Sequence, residues 1–207
     1  MSDARLQGYY FVSDAGLSLA GNASDIAAAA VAGVTVLQYR AKEGTSRDCY
    51  EEARALRALC PKALFLVNDR VDLALAVGAD GVHVGQDDLP CEVARALLGP
   101  GRVIGVTAHS VEEAHRAERA GADYVGVAPI FSTKTKADAG PGRGVELVRA
   151  VRAAVSIPIV AIGGIDLTNA ASVIAAGADS ICAISAVVRS PDVGAEIAKF
   201  QRLFSRR

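Results

Sequence analysis

Four times along this chain a helix-like stretch closes on a glycine and runs straight into an aliphatic stretch. The four are Ala32-Gly33-Val34-Thr35-Val36, Val77-Gly78-Ala79-Asp80-Gly81-Val82, Ala120-Gly121-Ala122-Asp123-Tyr124-Val125 and Ala176-Gly177-Ala178-Asp179-Ser180-Ile181. Glycine takes the left-handed conformation that ends a helix without the steric cost a side chain brings. The repeat therefore marks turns that lead from helix to strand. Asp80, Asp123 and Asp179 read as turn or cap residues of the framework, for all their regularity.

Strands are expected at Tyr9–Ser13, Thr35–Tyr39, Leu64–Val67, Gly81–Val84, Val103–Val106, Tyr124–Ala128, Ile159–Ile162 and Ser180–Ile184, each a short β-branched or aliphatic run. Between them lie stretches rich in Ala, Leu, Glu and Arg: Ser24–Ala32, Arg47–Leu59, Val71–Val77, Leu89–Leu98, Val111–Ala120, Val145–Ala154 and Thr168–Ala176, with a last helix from Asp192 to Phe204. Eight alternations in one chain call for a closed parallel sheet, an α/β fold of the single (β/α)8 TIM barrel type. At 207 residues, 51% of them hydrophobic, the chain suits one domain over 1–207 and a barrel of minimal size.

A formal net charge of -1 points away from nucleic acid and from anionic membranes, and towards small-molecule partners. The first residues lack an apolar signal core and every long apolar run is broken, so a cytoplasmic protein is expected. Cys49, Cys60, Cys91 and Cys182 form no CxxC pair and read as buried or incidental thiols.

In such a barrel chemistry sits on the loops beyond the carboxyl ends of the strands. After the second strand comes Gln38-Tyr39-Arg40-Ala41-Lys42. Alternation puts Gln38, Arg40 and Lys42 on one side, where two cations and an amide suit a phosphate or diphosphate. A solvated strand end with ordinary surface cations is the plainer alternative. Asn68-Asp69-Arg70 follows the third strand and Gly85-Gln86-Asp87-Asp88 the fourth. Adjacent strand ends lie side by side, so Asp69 and one of Asp87 or Asp88 can share a cation. Mg²⁺ takes one or two carboxylates together with phosphate oxygens and water. Asp69 and Asp88 also stand where they would cap the next helix, and the two roles can coexist.

Thr107, after the fifth strand, offers a hydroxyl to a ligand or caps the helix starting near Ser110. His109 is an acid/base or a plain loop residue, His115 a surface residue and His83 a packed one. Three histidines with no Cys/His cluster argue against zinc. The longest irregular stretch, Pro129 to Gly144, carries Thr133, Lys134, Thr135, Lys136 and Arg143 among glycines and prolines. Long loops on this face bind or cover substrate; an unattached basic loop is the alternative. Thr135 and Lys136 are its stronger candidates, with Arg143 as an anion clamp. Gly163-Gly164 and Ile184-Ser185 end the last two strands, where glycine lets phosphate approach backbone N–H groups. Two anion sites and a Mg²⁺ site suit a reaction that joins two phosphorylated molecules.

Five runs together carry a resemblance: Gln38 to Lys42; Asn68-Asp69-Arg70-Val71-Asp72-Leu73-Ala74; Gly81 to Pro90; Pro129-Ile130-Phe131 through Thr133 to Lys136; and Ile162-Gly163-Gly164-Ile165. In this order, and over nearly the whole chain, the sequence resembles the thiamine phosphate synthase family. The resemblance implies a transferase that joins 4-amino-2-methyl-5-hydroxymethylpyrimidine diphosphate to 4-methyl-5-(2-phosphooxyethyl)thiazole. The products are thiamine phosphate and diphosphate. Gln38, Arg40, Lys42 and Asn68 would hold the pyrimidine and its diphosphate. Asp69 and Asp88 would bind Mg²⁺, and Lys136 would steady the leaving group. Thr107 stands where the family usually has serine beside the pyrimidine. Thr133 and Thr135 would contact the thiazole phosphate or its loop, and Gly164, Ile184 and Ser185 the far phosphate.

The implied chemistry is a dissociative substitution at the pyrimidine methylene, with Arg40, Lys42, Lys136 and Mg²⁺ stabilising departing diphosphate. Two departures stand out: Ser132 replaces a common proline, and the loop from Asp138 to Gly144 is rich in small residues. A related tautomerase group tends to lack the diphosphate and metal set that this chain keeps. Rivals from other classes are a Schiff-base aldolase, for which no strand holds a lysine, and an isomerase, for which no glutamate accompanies His83. A third is a non-catalytic sensor of phosphorylated ligands. Phe200 and Phe204 on the last helix face either a homodimer partner or the barrel wall.

Overall fold

The computed structural model describes residues 5–133 and 140–205. All eight expected strands are present: β1 Gly8–Val12, β2 Val36–Tyr39, β3 Leu64–Asn68, β4 Gly81–Val84, β5 Val103–Ala108, β6 Tyr124–Val127, β7 Ile159–Ile162 and β8 Ser180–Cys182. They pair in parallel in sequence order, and β8 returns to β1, with Gly8 opposite Ser180 and Tyr9 opposite Ile181. The result is a single closed (β/α)8 barrel. Its helices are α1 Asn22–Val31, α2 Ser46–Ala58, α3 Val71–Ala76, α4 Cys91–Leu98, α5 Val111–Arg119, α6 Val145–Ala154 and α7 Ala170–Ala175, with α8 Ile184–Val188 and α9 Val193–Phe204 after the last strand.

Strand residues alternate between two seams. Phe11, Leu37, Phe65, Val82, Ile104, Val125 and Ile181 point outward and pack under the helices with Ile26, Leu56, Val148 and Ile197. Tyr10, Val12, Val36, Leu64, Leu66, Tyr124, Val160 and Cys182 point inward and fill the barrel, with Leu6 closing its amino end. Burial on both sides is why the strands read as nearly continuous apolar runs. Each fully buried Phe or Leu contributes about 1.5–3 kcal/mol.

Most boundaries moved by a residue or two, and three of the shifts have a readable cause. The strand expected through Ile184 stops at Cys182; Ala183 turns away and Ile184 opens α8. The β-branched residues there favour a strand in isolation, but burial of Val187 and Val188 beside α9 prevails over local preference. Helix α4 starts at Cys91 instead of Leu89, because proline disfavours helical backbone in the residue before it and Pro90 follows Leu89. Helix α7 starts at Ala170 instead of Thr168: Asp166 Oδ1 accepts the Thr168 N–H at 2.8 Å and holds a turn in front of it.

The three turn aspartates share one job. Each accepts the N–H near the start of the preceding strand and an arginine from the helix before that strand. Asp80 takes Phe65 N at 2.8 Å and Arg57, Asp123 takes Ile104 N at 2.7 Å and Arg95, and Asp179 takes Ile159 N at 2.8 Å and Arg152. The fourth turn has Thr35 in the aspartate's place, and its hydroxyl donates to Arg5 O at 2.7 Å. These residues tie the amino end of the barrel together, as expected of framework residues.

Phe200 stacks on Tyr9 with ring centroids 5.3 Å apart and is fully buried, so it packs on the barrel wall and offers no surface to a partner. All four cysteines are buried and unbridged. Among the described residues, no helix is long and apolar enough to cross a membrane.

Candidate active site

At the carboxyl end of the barrel lies a cavity of about 350 Å³ that gathers the polar strand ends. Gln38, Arg40 and Lys42 reach it from β2, Asn68 and Asp69 from β3, and Asp87 and Asp88 from the loop after β4. Across from them stand Thr107 on β5 and Thr133 in the loop after β6. Gly163, Gly164, Ile184 and Ser185 close the side formed by β7 and β8. Of the candidates within the described residues, all but Arg143 therefore line one space. Thr135 and Lys136 lie outside the described residues. Arg143 is exposed and is not among the lining residues.

The backbone explains why these side chains point inward. Asp69 follows β3 in the left-handed region, at φ 62°, while its N–H donates to His83 O at 2.7 Å. That conformation costs a non-glycine residue about 1–3 kcal/mol and recurs where structure is held for function. Neither Asp69 nor Asp88 caps a helix: the residues flanking α3 and α4 are Arg70 and Pro90, and neither helix has a side-chain cap. Asp88 instead folds back to accept Gly85 N–H at 2.6 Å, which fixes the turn and leaves its other oxygen available. Thr107 caps no helix either, because Ser110 accepts Glu113 N at the start of α5.

Gly163 and Gly164 are needed for packing as well as for any ligand. Both have positive φ, and a Cβ would meet Pro129 at 2.8 Å or Phe131 at 2.7 Å. The loop after β6 is anchored there: Phe131 N donates to Gly163 O, while Arg143 N and Gly144 N donate back to Pro129 O and Ile130 O. Its two described limbs are thus attached to the barrel, while the basic stretch between them lies outside the described residues.

Further residues join the site. Asp14, beyond β1, accepts from Arg40 Nη1 at 2.6 Å with both side chains largely buried, so it orients the guanidinium. Gln86 Nε2 donates to Thr107 O, joining the loop after β4 to β5. His109 lines the cavity with Nδ1 donating to Ala128 O at 2.6 Å, which leaves Nε2 as the ring's acceptor. His83 is buried and bonded through both ring nitrogens, in line with a packed role. Asp14 carried no pattern of its own in the sequence; only its opposition to Arg40 reveals it.

The fold and its cavity define a barrel enzyme that works on small molecules at the carboxyl ends of its strands. The family model described as "Thiamine monophosphate synthase" matches residues 9–187. The chain is 51% identical to the thiamine-phosphate synthase of Methanosarcina barkeri, over 96% of this chain and 90% of that one. With the thiamine-phosphate synthase of Chloroflexus aurantiacus the identity is 53%, covering 95% and 92%. The solved thiamine phosphate pyrophosphorylase of Pyrococcus furiosus superposes with a TM-score of 0.90 at 39% identity, covering 99% of this chain and 98% of that chain. This chain belongs to the thiamine monophosphate synthase family and is an enzyme of it.

Proposed function

We propose that the chain joins 4-amino-2-methyl-5-hydroxymethylpyrimidine diphosphate to 4-methyl-5-(2-phosphooxyethyl)thiazole, releasing diphosphate and forming thiamine phosphate. The observation that carries this reading is the division of one cavity. Cations and carboxylates of β2, β3 and the β4 loop stand on one side, and the glycine turn of β7 with the first residues of α8 on the other. One end suits a diphosphate, the other a phosphate.

Gln38, Asn68 and Thr107 supply hydrogen bonds for the pyrimidine, and Arg40 and Lys42 supply charge for its diphosphate. Asp14 keeps Arg40 aimed into the cavity. Asp69 and Asp88 are hard oxygen donors from adjacent strand ends, and this donor set fits Mg²⁺ with substrate oxygens completing its shell. When bound, Mg²⁺ neutralises charge on the diphosphate. By the family resemblance, Lys136 would steady the leaving group, and Thr133 and Thr135 would contact the thiazole phosphate. Gly164 and the N–H groups of Ile184 and Ser185 hold that phosphate, since the first turn of a helix has N–H groups without internal partners.

In the reaction the C–O bond from the pyrimidine methylene to diphosphate breaks first. The aminopyrimidine ring shares the positive charge that develops, and the thiazole nitrogen attacks the methylene. No protein base is required, so the protein acts by charge stabilisation and by placing two substrates together. The test is to incubate the protein with both substrates and Mg²⁺, omitting each in turn. Diphosphate and thiamine phosphate should appear in equal amounts only when all are present. Binding of either substrate without product would sink the proposal in favour of a tautomerase-like relative or a sensor.

A further inference from the structure

At the cavity floor a line of side chains crosses the barrel from β2 to β5, with Gln38, His83 and Thr107 lining the cavity itself. Gln38 Nε2 donates to Tyr10 OH at 2.8 Å, and Tyr10 OH lies 2.8 Å from Tyr124 OH. Tyr124 OH lies 2.8 Å from His83 Nδ1, and His83 Nε2 lies 2.9 Å from Thr107 Oγ1. The two end residues, Gln38 and Thr107, line the cavity, while both phenols are buried and held protonated by that burial.

The strands make room for this line. A Cβ on Gly105 would come within 2.0 Å of the Tyr124 ring, and one on Gly126 within 2.8 Å of His83 Cε1. Glycine inside a strand weakens it and marks a close approach. Two such glycines on neighbouring strands, each under one ring of the line, show a barrel interior shaped around it.

Each hydroxyl has one proton, and a neutral imidazole has one donor and one acceptor nitrogen. These counts couple all the bonds. With Tyr10 accepting from Gln38, the arrangement that satisfies every buried hydroxyl sends the Tyr10 proton to Tyr124 and the Tyr124 proton to His83 Nδ1. The imidazole proton then sits on Nε2 and is given to Thr107, whose hydroxyl proton is left for the cavity. At the other end one N–H of the Gln38 amide is committed to Tyr10, which turns the amide oxygen towards the ligand. Turning the Gln38 amide over would reverse every bond and present the opposite pair.

We propose that Tyr10, Tyr124 and His83 are positioning residues that lock the polarity of Gln38 and Thr107 together, so that the cavity offers an acceptor at one end and a donor at the other. A ligand must then bring a donor to Gln38 and an acceptor to Thr107. A nitrogen heterocycle with an amino group beside a ring nitrogen has that edge. Assigning this edge to the pyrimidine rests on the synthase reading, whereas the coupling itself does not.

The experiment reads the His83 tautomer by long-range ¹H–¹⁵N correlation in the full-length labelled protein, with His83→Gln used to identify its signals among those of His109 and His115. In the unaltered protein His83 should carry its proton on Nε2; a proton on Nδ1 overturns the assigned polarity. Gln38→Glu, whose ionised carboxylate only accepts, should move that proton to Nδ1, and an unchanged tautomer in the folded variant overturns the coupling. Tyr10→Phe should raise KM for the pyrimidine diphosphate about tenfold, a loss of about 1.4 kcal/mol, while KM for the thiazole phosphate stays the same. Equal changes in both KM values overturn the positioning role. Absence of any turnover by the unaltered protein counts against the synthase reading alone, since the tautomer is measured without substrate.

Discussion

At the amino end of the barrel, Asp80, Asp123 and Asp179 each accept one strand N–H and one arginine. At the carboxyl end, Asp69 sits in the left-handed region and Asp88 bends back onto Gly85 N–H, both beside an open cavity. The same residue type thus serves two purposes, and the difference lies in its neighbours. In the amino-end turns a partner arginine is supplied from within the framework, whereas Asp69 and Asp88 line the cavity. Arg40 shows an intermediate arrangement: Asp14 holds it from one side while it lines the cavity with the rest of its guanidinium.

The sharpest way to break the contrast is to neutralise one aspartate at each end. Asp69→Asn keeps a residue type that tolerates the left-handed backbone and should lower kcat by about 10² or more, the scale of losing one electrostatic contact to developing charge. Its melting temperature should stay near that of the unaltered protein. Unchanged turnover would remove Asp69 from the reaction. Asp80→Ala should do the reverse. It leaves Arg57 and the Phe65 N–H without their acceptor, costing about 1–3 kcal/mol of stability in denaturant titration, with kcat unchanged well below the melting point.

Asp14→Ala tests the intermediate case. With its guide removed, the Arg40 guanidinium should lose its set position and turnover should fall about tenfold, because small misplacements weaken catalysis. A steady-state assay that finds no change would make the Asp14 contact merely structural. The smallest effect concerns pH. Burial raises the Asp80 carboxyl, but Arg57 and the Phe65 N–H outweigh it and hold its pKa below the ordinary 3.8. A carboxyl whose folded pKa is depressed contributes stability above its unfolded value and loses it as pH falls through the folded value. Acid unfolding below about pH 3.8 should therefore be less steep in Asp80→Asn than in the unaltered protein.

Much of the framework is legible along the chain because its signals are local. A glycine that ends a helix, a β-branched run and an Ala-rich stretch each act over a few residues, and eight alternations leave a closed parallel barrel as the outcome. The cavity residues at strand ends are legible for a related reason: in this fold, position along a strand already says which end of the barrel a residue occupies. Gln38, Arg40, Asp69 and Asp88 could be placed on one face before any distance was known. Ile184 misled, because its preference for strand is intrinsic while its helix depends on burial against α9.

The sequence alone thus determined the eightfold alternation, the face that carries chemistry and the residue types gathered there. Tertiary structure decided that Asp80, Asp123 and Asp179 pair with arginine while Asp69 and Asp88 line the cavity, that Asp14 aims Arg40, and that Phe200 turns inward. It also joined Gln38 to Thr107 through Tyr10, Tyr124 and His83, on strands far apart in the chain. The physical reason is range. Backbone preference and hydrophobic period act between neighbours in sequence, whereas hydrogen-bond polarity and charge pairing are settled between side chains that meet only when the barrel closes.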